Sequence, residues 1–255
     1  SVIHKNVSIV KLAQWHALWR PGGPVLLDVF CGAGGAAMGY WRAGFNVIGV
    51  DISPQPRFPF PFIQADALEA IRAFGADVDA IHASPPCQAY SRLRHLPWLR
   101  GRKYPELIEP VRDALRLSGK HYVIENVPGA PLHTSILLCG YSFGLKVYRH
   151  RLFETSFPVH APVHKAHDIT IGAGGNLNDR RGGDGNMIMV SGNQFRKEEA
   201  ESAMGIYWMS KYELSQAIPP VYTEWIGAQL IGRLKSHNSL PFLPRTTGTI
   251  QLAMF

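Results

Sequence analysis

Cysteine is scarce in this chain: Cys31, Cys87 and Cys139 lie far apart among 255 residues. So small and odd a set fits neither a disulfide framework nor a zinc motif built from paired cysteines, and it favours a reducing, cytoplasmic setting. Long hydrophobic runs are also missing, so we expect no membrane span. The apolar spacing within residues 1–22 predicts a helical extension rather than a signal peptide.

Acidic residues are outnumbered, with 19 Asp and Glu against 26 Lys and Arg, which gives a formal charge of +7 and a pI of about 9.4. A basic excess suits a polyanionic partner such as nucleic acid, because binding releases counterions from the phosphates. Ordinary solubility charge explains the same number equally well. With 46% hydrophobic and 18% charged residues, the composition predicts a packed globular core and not a disordered chain.

Short apolar runs alternate with helical patterns through the first half of the chain. The runs predict five strands, at Val25–Phe30, Val47–Val50, Phe62–Ile63, Val78–Ala83 and His121–Ile124. Helical patterns precede Gly44 and cover Leu68–Phe74 and Glu106–Leu117. This alternation predicts an α/β fold with a doubly wound, mostly parallel sheet.

The pattern changes after Phe157, and we expect three parts. Residues 1–157 form a catalytic domain, residues 158–194 a small irregular unit rich in glycine, and residues 195–255 a segment that returns to the catalytic domain and ends in a tail. Nothing in the sequence requires a protein partner, so we expect a monomer. His160, His164 and His167 open the irregular unit, but no cysteine or acid completes a known metal spacing, and we expect no metal there.

Three features follow predicted strands at the edge where doubly wound sheets bind ligands. The first is a glycine-rich turn from Asp28 to Gly35. Asp51 follows the second strand, where an acid accepts hydrogen bonds from ribose hydroxyls, and Asp66 follows the third, where it can accept from an adenine amine. The bunched glycines differ from the dinucleotide fingerprint, and no P-loop is present.

A cysteine loop follows the fourth predicted strand, with Pro85 and Pro86 before Cys87. The prolines stiffen the backbone, and a thiolate is the reactive form of the residue. Nearby basic residues favour that anion and suit phosphate contacts; they are Arg92, Arg94, His95, Arg100, Arg102 and Lys103. We interpret Cys31 and Cys139 as inert buried thiols.

Four motifs in this order resemble the DNA (cytosine-5) methyltransferase family. They are the turn Asp28 to Gly35, the loop Pro85-Pro86-Cys87-Gln88, the strand end Glu125-Asn126-Val127 and the stretch Arg149-His150-Arg151-Leu152-Phe153. The ordered set is far more specific than any single motif. The resemblance is good over residues 25–155 and fainter beyond.

The resemblance implies a Rossmann-like, class I methyltransferase that uses S-adenosyl-L-methionine to methylate C5 of a flipped-out cytosine in double-stranded DNA. It implies catalysis by Cys87, Glu125, Arg149 and Arg151. Cofactor contacts are expected at Phe30, Gly32, Ala33, Gly34, Gly35, Asp51, Ile52, Asp66, Ala67 and Pro85. Nucleic-acid contacts are expected at Gln88, Ser91, Arg92, Arg94, Arg180 and Arg181.

Two departures from the family pattern leave alternatives open. Val147 stands where the family usually has glutamine, and the last family motif lacks its usual Gly-Asn. The alternatives are a tRNA cytosine-5 methyltransferase, a transferase that uses a modified donor, an inactive nucleic-acid-binding relative and a small-molecule methyltransferase. A bacterial or phage modification enzyme is the expected setting, and the short irregular unit predicts a recognition site of only a few base pairs.

Overall fold

The computed structural model describes residues 18–90, 104–164, 166–167, 187–192 and 195–238. The strands are β1 (Val25–Val29), β2 (Asn46–Asp51), β3 (Phe62–Gln64), β4 (Ala80–Ala83), β5 (His121–Asn126), β6 (Ser135–Leu138) and β7 (Arg151–Thr155). The helices are α1 (Gly35–Ala43), α2 (Ala67–Phe74), α3 (Ile108–Leu117), α4 (Lys197–Met204), α5 (Lys211–Gln216) and α6 (Pro220–Asn238). A 3₁₀ turn covers Gly140–Phe143.

The seven strands form one sheet in the order β3-β2-β1-β4-β5-β7-β6. The strands from β3 to β5 pair in parallel, whereas β7 runs antiparallel to both β5 and β6. The predicted α/β, mostly parallel fold is therefore confirmed. The five predicted strands are all present, but β6 and β7 were not predicted as strands.

Helices cover both faces of the sheet because its strands are apolar on both sides, as buried parallel strands require. Leu26 and Leu27 are successive residues of β1 and belong to different apolar clusters, one on each face. One cluster joins the sheet to α2 and α3, and the other joins it to α1 and α6. The sheet is thereby fixed as a rigid platform for the loops at its carboxyl edge.

Helices α1 and α6 pack at unusually short range. A Cβ atom at Gly39 would lie 2.0 Å from the Pro220 carbonyl oxygen, so only glycine permits this approach. The Thr223 hydroxyl donates to the Ala36 carbonyl across the same contact, at 2.8 Å. The residues after the irregular unit are thus part of the same core as β1 and α1.

A third apolar cluster lies next to the glycine-rich turn. It joins Ala33 to side chains from α4, α5 and the loops between them, including Met204, Ile206 and Leu214. The Trp208 indole donates to the Ala33 carbonyl at 2.8 Å. The C-terminal part of the chain therefore supports the turn that begins α1.

None of the helices among the described residues combines the length and the apolar character needed to cross a bilayer.

Candidate active site

The residues of all four motifs lie at one edge of the sheet. The glycine-rich turn follows β1, the cysteine loop follows β4 and Glu125-Asn126 closes β5. The arginine motif reaches the same edge because β7 runs antiparallel to β5, so its first residues lie beside the last residues of β5. Segments that are far apart in sequence thus meet at the edge where parallel sheets bind ligands.

The glycine-rich turn has three residues in the left-handed backbone region, with φ of 58° at Phe30, 49° at Gly32 and 88° at Gly34. Gly34 is the N-cap of α1, and a Cβ atom there would lie 2.9 Å from Pro59. Gly32 donates its backbone N–H to Asp51 Oδ2 at 3.1 Å. The turn is therefore held against the end of β2, next to the acid predicted to bind ribose.

The predicted cofactor residues after β2 and β3 differ in what they present. Asp51 Oδ1 also accepts from the Ser53 N–H at 2.9 Å, so its carboxylate is oriented from both sides. Ile52 is 70% exposed and offers an apolar surface beside that carboxylate. Asp66 caps α2 through Oδ1, and Ala67 is buried in the core, so Ala67 offers only backbone groups to a ligand.

Asp28 is fully buried, and neither of its carboxylate oxygens has a hydrogen-bond partner among the described residues. Burial raises the pKa of this carboxyl well above its usual value, and the charges of Asp51 and Glu125 raise it further. Three acids therefore converge at this edge. The raised pKa favours the neutral form of Asp28, so the negative potential here comes from Asp51 and Glu125, and it favours a cationic ligand.

The cysteine loop is fastened to the end of β5. The Asn126 side-chain amide donates to the Pro85 carbonyl at 2.9 Å, and both residues are buried. A turn closed by the Tyr90 N–H and the Cys87 carbonyl, at 3.0 Å, follows the cysteine. Cys87 itself remains half-buried, whereas Cys31 and Cys139 are buried. Of the three thiols, Cys87 is the one that is accessible at this edge.

Glu125 and Arg151 form an ion pair beside that thiol. Arg151 Nε lies 3.0 Å from Glu125 Oε1, and the two side chains are 16% and 9% exposed. Burial raises the pKa of the Cys87 thiol, the charge of Arg151 lowers it and the charge of Glu125 raises it, with a net increase. The three side chains predicted to be catalytic thus act electrostatically on one another.

Arg149, the fourth predicted catalytic residue, is directed elsewhere. It is the residue before His150 and has a left-handed backbone with φ of 41°. Its guanidinium donates to the carbonyls of Ala217 at 2.8 Å, Ser215 at 2.7 Å and Val190. In this structure Arg149 holds the C-terminal segment against the arginine motif, and its catalytic role stays a prediction.

A buried polar chain under the cysteine loop was not predicted from the sequence. Tyr40 Oη lies 3.0 Å from His82 Nδ1, and His82 Nε2 lies 2.9 Å from Ser84 Oγ, next to Pro85. Burial lowers the pKa of His82 to about 3, so the imidazole is neutral at physiological pH. The only sequence signal for it was a histidine within an apolar strand.

The predicted nucleic-acid contacts are described only at Gln88, which is exposed beside Cys87. Ser91, Arg92, Arg94, Arg180 and Arg181 lie outside the described residues. A cavity of about 390 Å³ opens next to the ion pair, between the arginine motif and the segment around Met189. Arg149, Arg151 and His167 are among its lining residues.

No cysteine completes a metal spacing with the histidines of the irregular unit in the sequence, but the fold brings one beside them. Cys139, His150, His164 and His167 lie together, with one ligand atom from each residue within 4.8 Å of the others. His160 is separate, because its backbone is hydrogen-bonded to α6. Sequence spacing missed the group because β6, β7 and the following segment bring it together.

Comparison with known sequences shows similarity to DNA-modifying enzymes. The chain is 32% identical over 124 residues to the type II methyltransferase M.XorII of Xanthomonas oryzae, covering 42% of this chain and 28% of that protein. It is 31% identical over 114 residues to the type II methyltransferase M.FnuDI of Fusobacterium nucleatum, covering 41% and 32%. These matches span only about a third of the relatives' length. No protein-family model matches the chain.

Solved structures share the fold at low sequence identity. The Entamoeba histolytica methyltransferase EhMeth superposes with a TM-score of 0.54 at 14% identity, covering 83% of this chain and 98% of that one. An E. coli prophage protein described as a DNA modification methyltransferase gives a TM-score of 0.50 at 15% identity, covering 83% and 99%. The fold is that of an α/β, Rossmann-like methyltransferase. The resemblance carried by the motifs is confirmed in that the chain is similar in sequence to type II methyltransferases and shares its fold with solved methyltransferases.

Proposed function

We propose that this chain transfers a methyl group from S-adenosylmethionine to C5 of a flipped-out cytosine in double-stranded DNA. The observation that carries the proposal is the Glu125–Arg151 pair beside Cys87, at the same sheet edge as the acid-lined glycine turn. The similarity to type II methyltransferases and to a prophage protein described as a DNA modification methyltransferase supports the choice of substrate.

The residues at the glycine turn fit the methyl donor. Asp51 is oriented to accept from ribose hydroxyls, and the exposed Ile52 side chain offers a surface for the adenine ring. Besides burial, the charges of Asp51 and Glu125 raise the pKa of Asp28, so their negative potential reaches this site, and a negative potential suits a sulfonium and an ammonium group. The chemistry that S-adenosylmethionine contributes when bound is an electrophilic methyl group within reach of C5.

Cys87 makes C5 nucleophilic. Its thiolate would add to C6 of the pyrimidine and turn the C5–C6 double bond into an enamine-like system. C5 would then take the methyl group as the S–CH₃ bond of the sulfonium breaks and leaves a neutral thioether. Loss of the C5 proton through a water molecule then expels the thiolate and restores the double bond. Because burial raises the pKa of the resting thiol, the guanidinium of Arg151 is needed to favour the thiolate when the base enters.

Glu125 and Arg151 hold the ring while charge develops on it. The Glu125 carboxylate holds N3 by accepting a hydrogen bond from the protonated nitrogen and so favours its protonation, and the negative charge created by thiolate addition does not build up on the pyrimidine. Arg151 orients that carboxyl group through Oε1 and lies within reach of the base O2. Arg149 acts indirectly, because its three carbonyl contacts fix the start of β7, and with it Arg151.

The base must leave the DNA stack to reach Cys87, which costs a few kcal/mol and is offset by contacts in the pocket. We assign phosphate contacts to the basic stretch from Arg92 to Lys103 and base reading to residues 158–194. So small a recognition region favours a site of a few base pairs, and bisulfite sequencing of treated DNA measures its length.

The decisive experiment incubates the chain with methyl-labelled S-adenosylmethionine and either duplex DNA or tRNA, followed by nucleoside analysis. We expect 5-methylcytosine in DNA, none in tRNA and no product from Cys87→Ser, which retains cofactor binding. Duplex DNA that carries 5-fluorocytosine should be trapped covalently, because C5 then has no proton to lose. An active preparation that forms no such adduct would contradict the covalent route, and labelled tRNA would move the substrate to RNA.

A further inference from the structure

A cysteine and three histidines form a compact group on the side of the arginine motif away from the glycine turn. Cys139 follows β6, His150 precedes β7, and His164 and His167 come from the segment after β7. We name these four residues the Cys-His cluster. All four ligand atoms lie within 4.8 Å of one another, and no carboxylate of the described residues belongs to the group.

The spacing within the cluster is close to that of a tetrahedral metal site. Cys139 Sγ lies 3.4 Å from His167 Nε2, and His150 Nε2 lies 3.0 Å from His164 Nε2. In tetrahedral zinc with Zn–S near 2.3 Å and Zn–N near 2.05 Å, adjacent ligand atoms are about 3.3–3.6 Å apart. Two edges of the observed group therefore already approximate those of a coordinated ion.

The chemical nature of the four ligand atoms also indicates which metal ion the cluster would bind. One thiolate and three imidazoles are borderline-soft ligands, and four protein ligands complete a closed site with no open position for catalysis. Such a set prefers Zn²⁺ to the oxygen-seeking Mg²⁺ and Ca²⁺.

The surroundings of the cluster resemble the outer layer of a structural metal site. Cys139 is only 1% exposed and packs in an apolar cluster with Tyr148 and Met187. The Tyr148 ring stacks on His167 with centroids 3.7 Å apart, which fixes the plane of that imidazole. The apolar shell therefore covers the cysteine side of the cluster, whereas His164 and His167 are exposed and leave a path by which an ion can enter.

We propose that Cys139, His150, His164 and His167 bind one structural Zn²⁺ ion. The ion joins β6 and β7 of the sheet to the first residues of the irregular unit. Such a crosslink stabilises the fold, since metal binding is coupled to folding. His150 lies between Arg149 and Arg151, so the same ion also anchors the arginine motif. That the anchored unit reads DNA rests on the proposed function, whereas zinc binding does not.

The test measures metal directly. Untagged protein is dialysed against a zinc buffer, and bound zinc is counted by elemental analysis for the wild type, His164→Ala and His160→Ala. His160→Ala is the matched control, because this histidine belongs to the same segment but lies outside the cluster. We expect about one ion per chain in the wild type and in His160→Ala, and loss of the ion in His164→Ala, an exposed and therefore tolerant position. Equal zinc in all three proteins, or none in the wild type, would overturn the proposal.

Cobalt substitution tests the ligand set independently of stoichiometry. Co²⁺ in the wild type should give the visible bands of tetrahedral coordination together with a thiolate charge-transfer band. His167→Ala should weaken the visible bands, and Cys139→Ser should remove the charge-transfer band. Spectra of octahedral Co²⁺ in the wild type would exclude the closed site. Because neither measurement uses DNA or methyl transfer, failure of the zinc site and failure of the proposed function are distinguishable.

Discussion

Two arginine–glutamate pairs each include a residue of β7 but differ in depth and geometry. Arg112 of α3 meets Glu154 of β7 through two contacts of 2.8 Å, and both side chains are almost fully buried. Arg151 meets Glu125 through Nε and Oε1 at 3.0 Å, at the edge of the sheet. The register explains the difference: Glu154 is opposite Ile124, on the face covered by α3, whereas Glu125 is opposite Phe153, on the other face.

The difference separates a structural pair from a reactive one. The two oxygens of Glu154 are both occupied, since the His133 N–H also donates to Oε2 at 2.7 Å. Such a closed group stabilises the fold and has little capacity to bind anything else. The Glu125–Arg151 pair uses one guanidinium nitrogen and one carboxylate oxygen beside a half-buried thiol. Pairing alone therefore does not identify a catalytic acid; depth and the neighbouring nucleophile do.

The largest effect is expected for Glu125→Gln, which keeps the shape of the side chain but removes its acid–base function. Methyl transfer to duplex DNA should fall about 10²–10⁴-fold, because general acid–base catalysis contributes that much. Single-turnover kinetics with labelled donor measure the loss. Thermal unfolding should change little, and a variant that unfolds instead of losing rate would mean that Glu125 is structural.

Glu154→Gln should reverse this pattern. Loss of the carboxylate leaves Arg112 charged and buried without its main partner, which typically costs about 3–5 kcal/mol. Urea denaturation followed by circular dichroism measures the change in the free energy of unfolding. The Arg112→Met and Glu154→Leu double variant is the control, and it should recover much of the loss because no buried charge is left unpaired. A cost below about 1 kcal/mol would contradict a structural role.

The strands that carry the acids predicted to bind the cofactor could be predicted because short apolar runs in the sequence indicate them. β1, β2 and β4 are predominantly apolar, and the glycine turn, Asp51 and Cys87 lie at or just after their ends. Parallel strands place their carboxyl ends at one edge, so those residues were expected to meet. The burial of Asp28 and the exposure of Ile52 are seen only in the structure, because local sequence does not determine them.

The rest of the site depends on long-range pairing. β7 contains two charged residues, Arg151 and Glu154, so its sequence has no uninterrupted apolar run that would predict a strand. Its partner β5 carries Glu125. The antiparallel direction of β7 explains how the arginine motif reaches the edge, and no local pattern encodes that direction. The same pairing brings Cys139 and His150 together and was missed for the same reason.

The two partners at the edge should shift the titration of Cys87 in opposite directions. Burial raises the pKa of this thiol most, Arg151 lowers it and Glu125 raises it. Alkylation by iodoacetamide, followed across pH by mass spectrometry of the Cys87 peptide, should therefore move to higher pH in Arg151→Gln and to lower pH in Glu125→Gln. Glu154→Gln should leave the profile unchanged while the protein is folded. Shifts of the same sign in both edge variants would show that they act through unfolding.

The smallest effect on the free energy of unfolding is expected at a third arginine–glutamate pair, which lies on the surface. Arg57 lies 3.3 Å from Glu213, and the two side chains are 51% and 15% exposed. Solvent screens such a pair, so Arg57→Ala should cost about 0–1 kcal/mol, and less at high salt.

Glu213 offers a matched comparison because it also closes a capping box with Ser210 at the start of α5. Ser210→Ala should cost about 1 kcal/mol, since it removes a partner of backbone N–H groups that have no other acceptor in the helix. Urea denaturation of both variants at low and high salt measures which substitution lowers the free energy of unfolding more. If Arg57→Ala cost as much as Glu154→Gln, burial would not be what separates these pairs, and depth could no longer be used to assign Glu125 to chemistry and Glu154 to the fold.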